Sequence, residues 1–548
     1  MDELRQRVND LEFLAPAIVR VAHYNILAGY LGENTKPWFM YGALGDSSRD
    51  RERAALIEKR FTEIGPDGKH CYPGWPNYAK GLLSAEEMAA VERIDREVFA
   101  WERRRPKLVE TIDRLRSDII SLVELDEYEE FFKDEFRRLG YDSEWLKRPR
   151  ASSKDGCGVL WRRSRFDFIA KHGFYYNDDE RGSKDRAALM VLLRSRCARD
   201  PHDILFCSTH LARNPECSGK QRAIRLRQAA QLFRELNTFG SREGCLHSVP
   251  VIIAGDWNTT SMEEVRMVCA ALLMLQQRSS SAHPLIWGCA EVPTPSTSVT
   301  AARDMRIDHL LFQESMLQLL TVDSPHQLKP GSLIPDEKHP SDHLPVCATF
   351  QFKTEFTVMR ESAEKFIRCL LGLASSLNRG LFDRELQLAF KFFDSNEDGV
   401  VEAEEFSRAV RTLGEALTAE QLDHLQACCV DGSSNAISFR SFKAAFDHAF
   451  SSLRCSAEFY EGIKHAFDYF DSDGSGSLSL EEVRSVLVSI SPFPLDEEAL
   501  KQVMQIADLD GDGNVDLTEF VKFCNRSALE SLREGSDVAE TSKHRLSL

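Results

Sequence analysis

Residues 251–260 read VIIAGDWNTT. An apolar run leads into Gly255, and Asp256, Trp257 and Asn258 follow. The run reads as a buried strand. The glycine permits a sharp turn at its end. That turn presents a carboxylate and a carboxamide two residues apart. Such a pair can bind a divalent ion, orient a water or hold a phosphate oxygen. The plain alternative is an Asp/Asn turn closing a hairpin, so the rest of the chain decides.

Five further apolar stretches deliver polar groups in the same way. AIVRVAHYNIL (17–27) ends at Asn25, and DIISLVEL (118–125) delivers Glu124. DILFCSTH (203–210) ends at His210, and RIDHLLF (306–312) places Asp308 early in a strand. HPSDHLPVCATF (339–350) sets Asp342 and His343 in a loop before the last strand. Each has a bland reading alone, a strand-end turn or a satisfied core histidine. A buried strand has little reason, however, to carry an unpaired carboxylate. Carboxylates and Asn suit a hard cation such as Mg2+. Two histidines suit charge neutralisation and proton transfer at a phosphate. Metal-assisted attack of water on a phosphoester is the chemistry these residues fit.

HYNIL, DIISLVELDEY, KDGCGVLW, STHLARNPE, AGDWN, RIDHLLF and PSDHLPV occur in this order over about 20–352. Together they resemble the endonuclease/exonuclease/phosphatase superfamily, in its CCR4-type deadenylase and nocturnin branch. The resemblance implies a four-layer α/β sandwich of two packed mixed sheets, with the site at one end. It implies Glu124 as principal Mg2+ ligand with Asn25 beside it and Asp342 supporting the metal region. By the same resemblance Asp256 positions or activates water, Asn258 and His210 hold the phosphate, and Asp308 orients the catalytic His343. Val123 stands where the family has Gln. Asn214 and Pro215 match a deadenylase segment whose proline helps sandwich a terminal adenine. The aromatic expected before RIDHLLF is absent. Arg303 and Arg306 lie there and would suit an extra phosphate, as in a nicotinamide dinucleotide phosphate; a solvated loop is the alternative.

The chain of 548 residues is too long for one ordinary domain. Its net charge of −17 argues against simple electrostatic nucleic-acid binding. From 351 onward lie 35 Asp+Glu and 20 Lys+Arg, leaving 51 and 49 before it. The acidity therefore belongs to a separate C-terminal region. The 14 cysteines form no CxxC pair, so reduced thiols and a cytoplasmic location are expected, with a nuclear one left open. No run reaches the roughly 18 apolar residues of a membrane span. Residues 1–355 are expected to form the catalytic domain. Within it 30–83 is an irregular insertion rich in Trp and Pro. A helical stretch is expected over 84–116, opened by the capping box Ser84–Glu87 and broken near Pro106. Residues 291–300 read as a Pro/Ser/Thr loop.

The acidic region carries a different pattern. Asp394, Asn396, Asp398, Gly399, Val401 and Glu405 fit positions 1, 3, 5, 6, 8 and 12 of an EF-hand loop. Val400 and Glu402 fill positions 7 and 9. Asp471, Asp473, Ser475, Ser477, Ser479 and Glu482 fit a second such loop, and Asp508, Asp510, Asp512, Asn514, Asp516 and Glu519 a third. Alternate oxygens converge on one Ca2+, the glycine permits the turn, and the last Glu grips with both oxygens. A fourth hand at Val430–Ser441 keeps the apolar register at Ile437 and Phe442 but lacks both terminal carboxylates. The expected order is a linker helix (356–379), a pair with one degenerate hand (380–450), a second pair (455–529) and a disordered tail (530–548), resembling a calmodulin-like array.

The leading expectation is an Mg2+-dependent phosphoesterase of the 3′-exoribonuclease or deadenylase kind, acting on RNA or a related nucleotide under Ca2+ control. A small-molecule phosphatase, of the NADP(H) 2′-phosphatase or inositol phosphatase type, is the alternative. A catalytically inactive, Ca2+-responsive scaffold that binds a protein partner through the EF-hands is the reading from another class.

Overall fold

The computed structural model describes residues 18–31, 47–178, 184–196, 202–213, 220–244, 249–263, 289–300, 303–314, 316–323, 334–353, 387–413, 436–442, 471–484 and 507–520, with isolated positions beside them. Contacts separate a first unit, ending at Phe352, from a second made mainly of residues after it.

The strands of the first unit are β1 (Ile18–Asn25), β2 (Ile119–Val123), β3 (Tyr141–Lys147), β4 (Gly156–Arg162), β5 (Phe166–Tyr175), β6 (Ala187–Ser195), β7 (Asp203–His210), β8 (Val251–Asp256), β9 (Cys289–Glu291), β10 (Ser298–Thr300), β11 (Arg303–Met305), β12 (Asp308–Gln313), β13 (Leu317–Asp323) and β14 (Val346–Phe352). One six-stranded sheet has the order β13-β14-β1-β2-β4-β3, the other β5-β6-β7-β8-β12-β9. Both are mixed: β1 is parallel to β2, and β7 to β8. The central strands are buried along their whole length, as β2 and β8 show. That is why they read as continuous apolar runs rather than alternating ones.

The inner faces meet in one core containing Val21, Ile119, Val159, Phe206, Ile252, Leu310 and Phe350. Helices cover the outer faces. Leu108, Val109 and Ile112 pack with Tyr24, Ile120, Leu122 and Leu160 of the first sheet. Gln231 of the helix Lys220–Arg242 donates from Nε2 to the Tyr175 carbonyl of β5 at 3.1 Å. The result is the expected four-layer sandwich.

Three local expectations are corrected. Residues 30–83 are not irregular throughout, because Ser48–Thr62 is an α-helix. Ser47 caps it by accepting from the Asp50 amide, and its run of Arg, Glu, Ala, Leu and Lys favours helix. It packs through Ile57 with Tyr78, Ala79, Leu83, Val91 and Phe99. The helical stretch from Ser84 keeps its capping box, but it widens into a π-helical turn over Asp95–Phe99 and breaks at Ala100. Pro106 instead lies inside the helix Trp101–Leu115. Finally, Ser298–Thr300 is a strand paired with β11, as its β-branched Val299 and Thr300 allow.

In the second unit, Val400–Val401 pairs with Ile437–Ser438, and Ser477–Leu478 with Val515–Asp516. Val401 faces Ile437 and Leu478 faces Val515, each at the eighth loop position. Gly399, Gly476 and Gly513 have φ of 88°, 80° and 88°, the left-handed turn that the sixth position needs. Ser441 bonds back to the Ser438 carbonyl at 3.0 Å and offers no carboxylate. Val430, the linker 356–379 and the tail 530–548 lie outside the described residues.

Candidate active site

Strand register builds the site. His210 is paired with Asp256 across β7 and β8, and Asp256 with Asp308 across β8 and β12. Paired residues project to the same side of a sheet. Three polar groups therefore stand in one row at one end of the second sheet. The first sheet contributes Asn25, paired with Val123, and then Glu124 just past the end of β2.

Hydrogen bonds join the two sheets there. Asn25 Nδ2 donates to Asp256 Oδ2 at 3.1 Å, and Asn25 Oδ1 accepts from the Leu27 amide at 3.0 Å. Asp256 Oδ1 accepts from the Asn258 amide at 3.0 Å. Asn258 has φ 49°, a left-handed turn that Asn tolerates, and its Nδ2 donates to the Leu211 carbonyl at 3.2 Å. His210 Nε2 is 3.5 Å from Asp256 Oδ2, and His343 Nε2 is 3.9 Å from the same oxygen. His343 Nδ1 lies 2.7 Å from Asp308 Oδ2. Thr297 Oγ1 accepts from the Asp308 amide at 3.1 Å and fixes the entry to β12.

The two histidines differ in charge. Burial alone would favour neutral His343, but the Asp308 and Asp342 carboxylates outweigh it and push the imidazole up to about 9. Asp308, despite its burial, is held well below the usual carboxylate range by His343 and His23. His210 goes the other way: burial, then the guanidiniums of Arg186 and Arg148, drive it well below its ordinary value. These opposite directions leave His210 neutral and His343 cationic at neutral pH. His210 Nδ1 is buried without a hydrogen-bond partner.

Glu124 is half-buried, with φ 55°, and its Oε2 accepts from the Ala28 amide at 3.2 Å. Burial raises its pKa, and the nearby Asp155 and Asp342 raise it further. Among the described residues no cationic side chain forms an ion pair with it. Partly buried hard oxygens that repel one another fit a divalent cation, which would relieve that repulsion. Asp256, Asp308 and His343 also place one ligand atom each within 4.8 Å of one another. Both Asp308 oxygens are engaged by imidazoles, so this trio fits proton and phosphate handling better.

Several participants were not legible as site residues. His23 places Nε2 3.0 Å from Asp308 Oδ1. Arg104, 1% exposed, donates to the carbonyls of Phe99, Ile26, Leu27, Ala28 and Pro340 at 2.7–3.3 Å. It joins the loop after Asn25 to the loop before His343. Arg186 is buried, with its Nε unpartnered and 3.9 Å from Asp185. Arg306 forms an ion pair with Glu291 at 2.9 Å. Asn214, Pro215 and the Arg303 side chain lie outside the described residues. Asp342 is buried, and its carbonyl accepts from Ser298 Oγ at 3.0 Å.

The acidic loops are folded for a cation as well. Glu405, Glu482 and Glu519 turn inward and accept from amides at the loop start, such as Ser395, Ser472 and Leu509 at 3.1, 2.9 and 2.8 Å. Hydrogen bonds from Ser479 and Ser472 lower the Glu482 carboxyl to about 2.

Sheets, row and loops define a phosphoester hydrolase fused to calcium-binding EF-hands. Residues 97–343 match the Endonuclease/Exonuclease/phosphatase family model, 386–410 an EF hand and 460–525 an EF-hand domain pair. The chain carries an endonuclease/exonuclease/phosphatase-family domain followed by EF-hands. It is 24% identical over 315 residues to Carbon catabolite repressor protein 4 homolog 4 of Arabidopsis thaliana, covering 46% of this chain and 72% of that one. It is 26% identical over 276 residues to Nocturnin of Xenopus laevis, covering 47% and 67%. The solved human Nocturnin catalytic domain with bound sulfate aligns with TM-score 0.38 and 19% identity, covering 62% of this chain and 94% of that one. No helix among the described residues is long and apolar enough to cross a membrane.

Proposed function

We propose that the first unit hydrolyses a phosphoester of RNA or a related nucleotide, in the manner of a 3′-exoribonuclease, and that the EF-hands make it responsive to Ca2+. The observation that carries this reading is the row His210–Asp256–Asp308, closed by His343 and Asn258. His210 Nε2 and His343 Nε2 lie 3.5 and 3.9 Å from the same Asp256 oxygen, and the Asn258 backbone amide holds the other.

The roles follow from charge and reach. Asp256, steadied by Asn25, takes the proton of the attacking water. His343, cationic beside Asp308, donates to the charge that builds on the phosphoryl oxygens. His210 and Asn258 hold those oxygens in place. Glu124, with Asn25 and Asp342, would hold Mg2+, whose chemistry is to neutralise phosphate charge and acidify water. Atoms balance as a hydrolysis: the new P–O bond comes from water, and the ester oxygen leaves with a proton.

The second reading is a small-molecule phosphatase, of the NADP(H) 2′-phosphatase or inositol phosphatase type, and one feature bears on the choice. A cleft of about 960 Å3 beside Gly29 and Tyr30 is lined by Asp95, Glu102, Asp126, Glu127, Glu129 and Glu130 against Arg105, Lys147 and Lys154. Its excess of carboxylates disfavours a long polyanion running through it, so an extended RNA strand would have to take another path. A panel of poly(A) RNA, other RNA, NADP(H) and inositol phosphates in Mg2+ separates the readings. Turnover of RNA alone supports the first, and turnover of small phosphates alone the second. Wild-type turnover of none supports the scaffold alternative.

A further inference from the structure

Asp308 is held from both sides. His343 reaches Oδ2, and on the other oxygen His23 places Nε2 at 3.0 Å. The His23 side chain is wholly buried and lies on β1, in the opposite sheet from Asp308. Its Nδ1 is 2.9 Å from Ser121 Oγ on β2, and Ser121 Oγ is 2.7 Å from Ser208 Oγ on β7. Ser121 and Ser208 are also wholly buried. A hydrogen-bonded chain therefore runs Ser208–Ser121–His23–Asp308–His343, crossing between the sheets twice.

The donors in this chain can be assigned. A carboxylate only accepts, so the Nε2 that faces Asp308 carries a hydrogen. The Ser121 hydroxyl then serves Nδ1 from the other side. A buried carboxylate has two oxygens, and each needs a donor if it is to stay charged in one orientation. Thr297 positions the Asp308 backbone, but among the described residues only His23 and His343 are found on its carboxylate. Without His23 the carboxylate could turn about its Cβ–Cγ bond and let His343 rotate with it.

We propose that His23 is a positioning residue of the active site, holding Asp308 from the opposite sheet so that Asp308 can fix the ring of His343. This rests on the proposed role of Asp308 and His343. Acting through Asp308, His23 touches no substrate. Its loss should therefore be felt in turnover rather than in substrate binding. Gln can present an amide N–H to Asp308 and an acceptor to Ser121, whereas Leu fills the space without either.

The test uses the full chain with His23→Leu, His23→Gln and Ser121→Ala. His23→Leu is expected to lower kcat about 10-fold or more while KM stays within about 2-fold, and His23→Gln to recover most of the loss. Ser121→Ala is expected to fall between. Equal impairment in Leu and Gln variants, or a loss seen in KM alone, overturns the proposal. A second readout needs no turnover. With 15N-labelled histidine, the wild type should show a His23 Nε2–H resonance, absent in His23→Leu, and the His343 Nδ1–H resonance should broaden or shift in that variant. An unmoved His343 signal overturns the positioning role even if no substrate is ever found. Hydrolysis lacking in the wild type with these resonances intact would instead count against the proposed function.

Discussion

His343 Nδ1 and Asp308 Oδ2 lie 2.7 Å apart, with both side chains almost fully buried. The contact joins a loop to the first residue of a strand. It turns the Nε2 edge of the imidazole toward Asp256, 3.9 Å from its Oδ2. Asp308→Asn keeps the shape and removes the charge. It is expected to lower kcat by roughly 10²–10⁴-fold, with a smaller change in KM. Steady-state kinetics on the best substrate of the panel checks this, and a variant within a factor of two of wild type would contradict the assignment.

The same contact predicts a pH dependence of stability. His343 is pushed from 6.5 up to about 9 in the folded chain. A raised histidine stabilises the fold fully below its unfolded value and loses that contribution as pH rises through the folded one. The melting temperature of metal-free protein should therefore fall between about pH 6.5 and 9 beyond any general trend. His343→Gln should flatten that fall. Identical profiles for the two proteins would refute the linkage.

Glu124 also costs stability as pH rises, but for the reverse reason, because here it is the charged form that the site disfavours. Burial and the Asp155 and Asp342 charges raise its pKa, so its ionised form burdens the fold as pH rises through the folded value. Glu124→Gln should raise the melting temperature of metal-free protein at neutral pH and abolish hydrolysis. It should also remove the stabilisation that Mg2+ gives the wild type. A thermal melt with and without MgCl2 decides this, and equal Mg2+ stabilisation of both proteins would reject Glu124 as a ligand.

Much of this was legible in the sequence, and the reason is physical. Central strands buried on both faces read as apolar runs, so their polar ends stood out, as at Asp256 and Glu124. EF-hand loops are contiguous, so Asp394–Glu405 carries its own geometry. His23 and Arg104 were not legible. An interior histidine in an alternating strand looks like any core histidine until register across two sheets sets it beside Asp308. Arg104 acts through carbonyls, which no side-chain pattern announces. The helix Ser48–Thr62 was hidden by flanking Trp, Pro and Gly, which drew attention from its helix-forming interior.

Arg104 offers a structural prediction. It is 1% exposed and serves five carbonyls, bridging Ile26–Ala28 to Pro340. Arg104→Met leaves those acceptors unpaired and should cost roughly 3–5 kcal/mol. Lys cannot fork to so many oxygens and should recover only part. Chemical denaturation of the three proteins measures this, and a loss below about 1 kcal/mol would show the carbonyls find other donors.

Calcium stoichiometry follows from the loops. Titration calorimetry of the full chain should count three Ca2+ sites, since three loops keep the terminal Asp and Glu. Glu405→Gln, Glu482→Gln and Glu519→Gln should each remove or weaken one. A fourth tight site would mean the loop ending at Ser441 binds after all.

The most direct test of the central claim compares the full chain with Asp256→Asn on a 5′-labelled oligoadenylate and on NADP(H), in MgCl2 and in EDTA. The account predicts hydrolysis of at least one substrate by the wild type in Mg2+, its loss in EDTA, and a drop of about 10²-fold or more in Asp256→Asn. Equal rates for wild type and Asp256→Asn, or hydrolysis indifferent to EDTA, would contradict it.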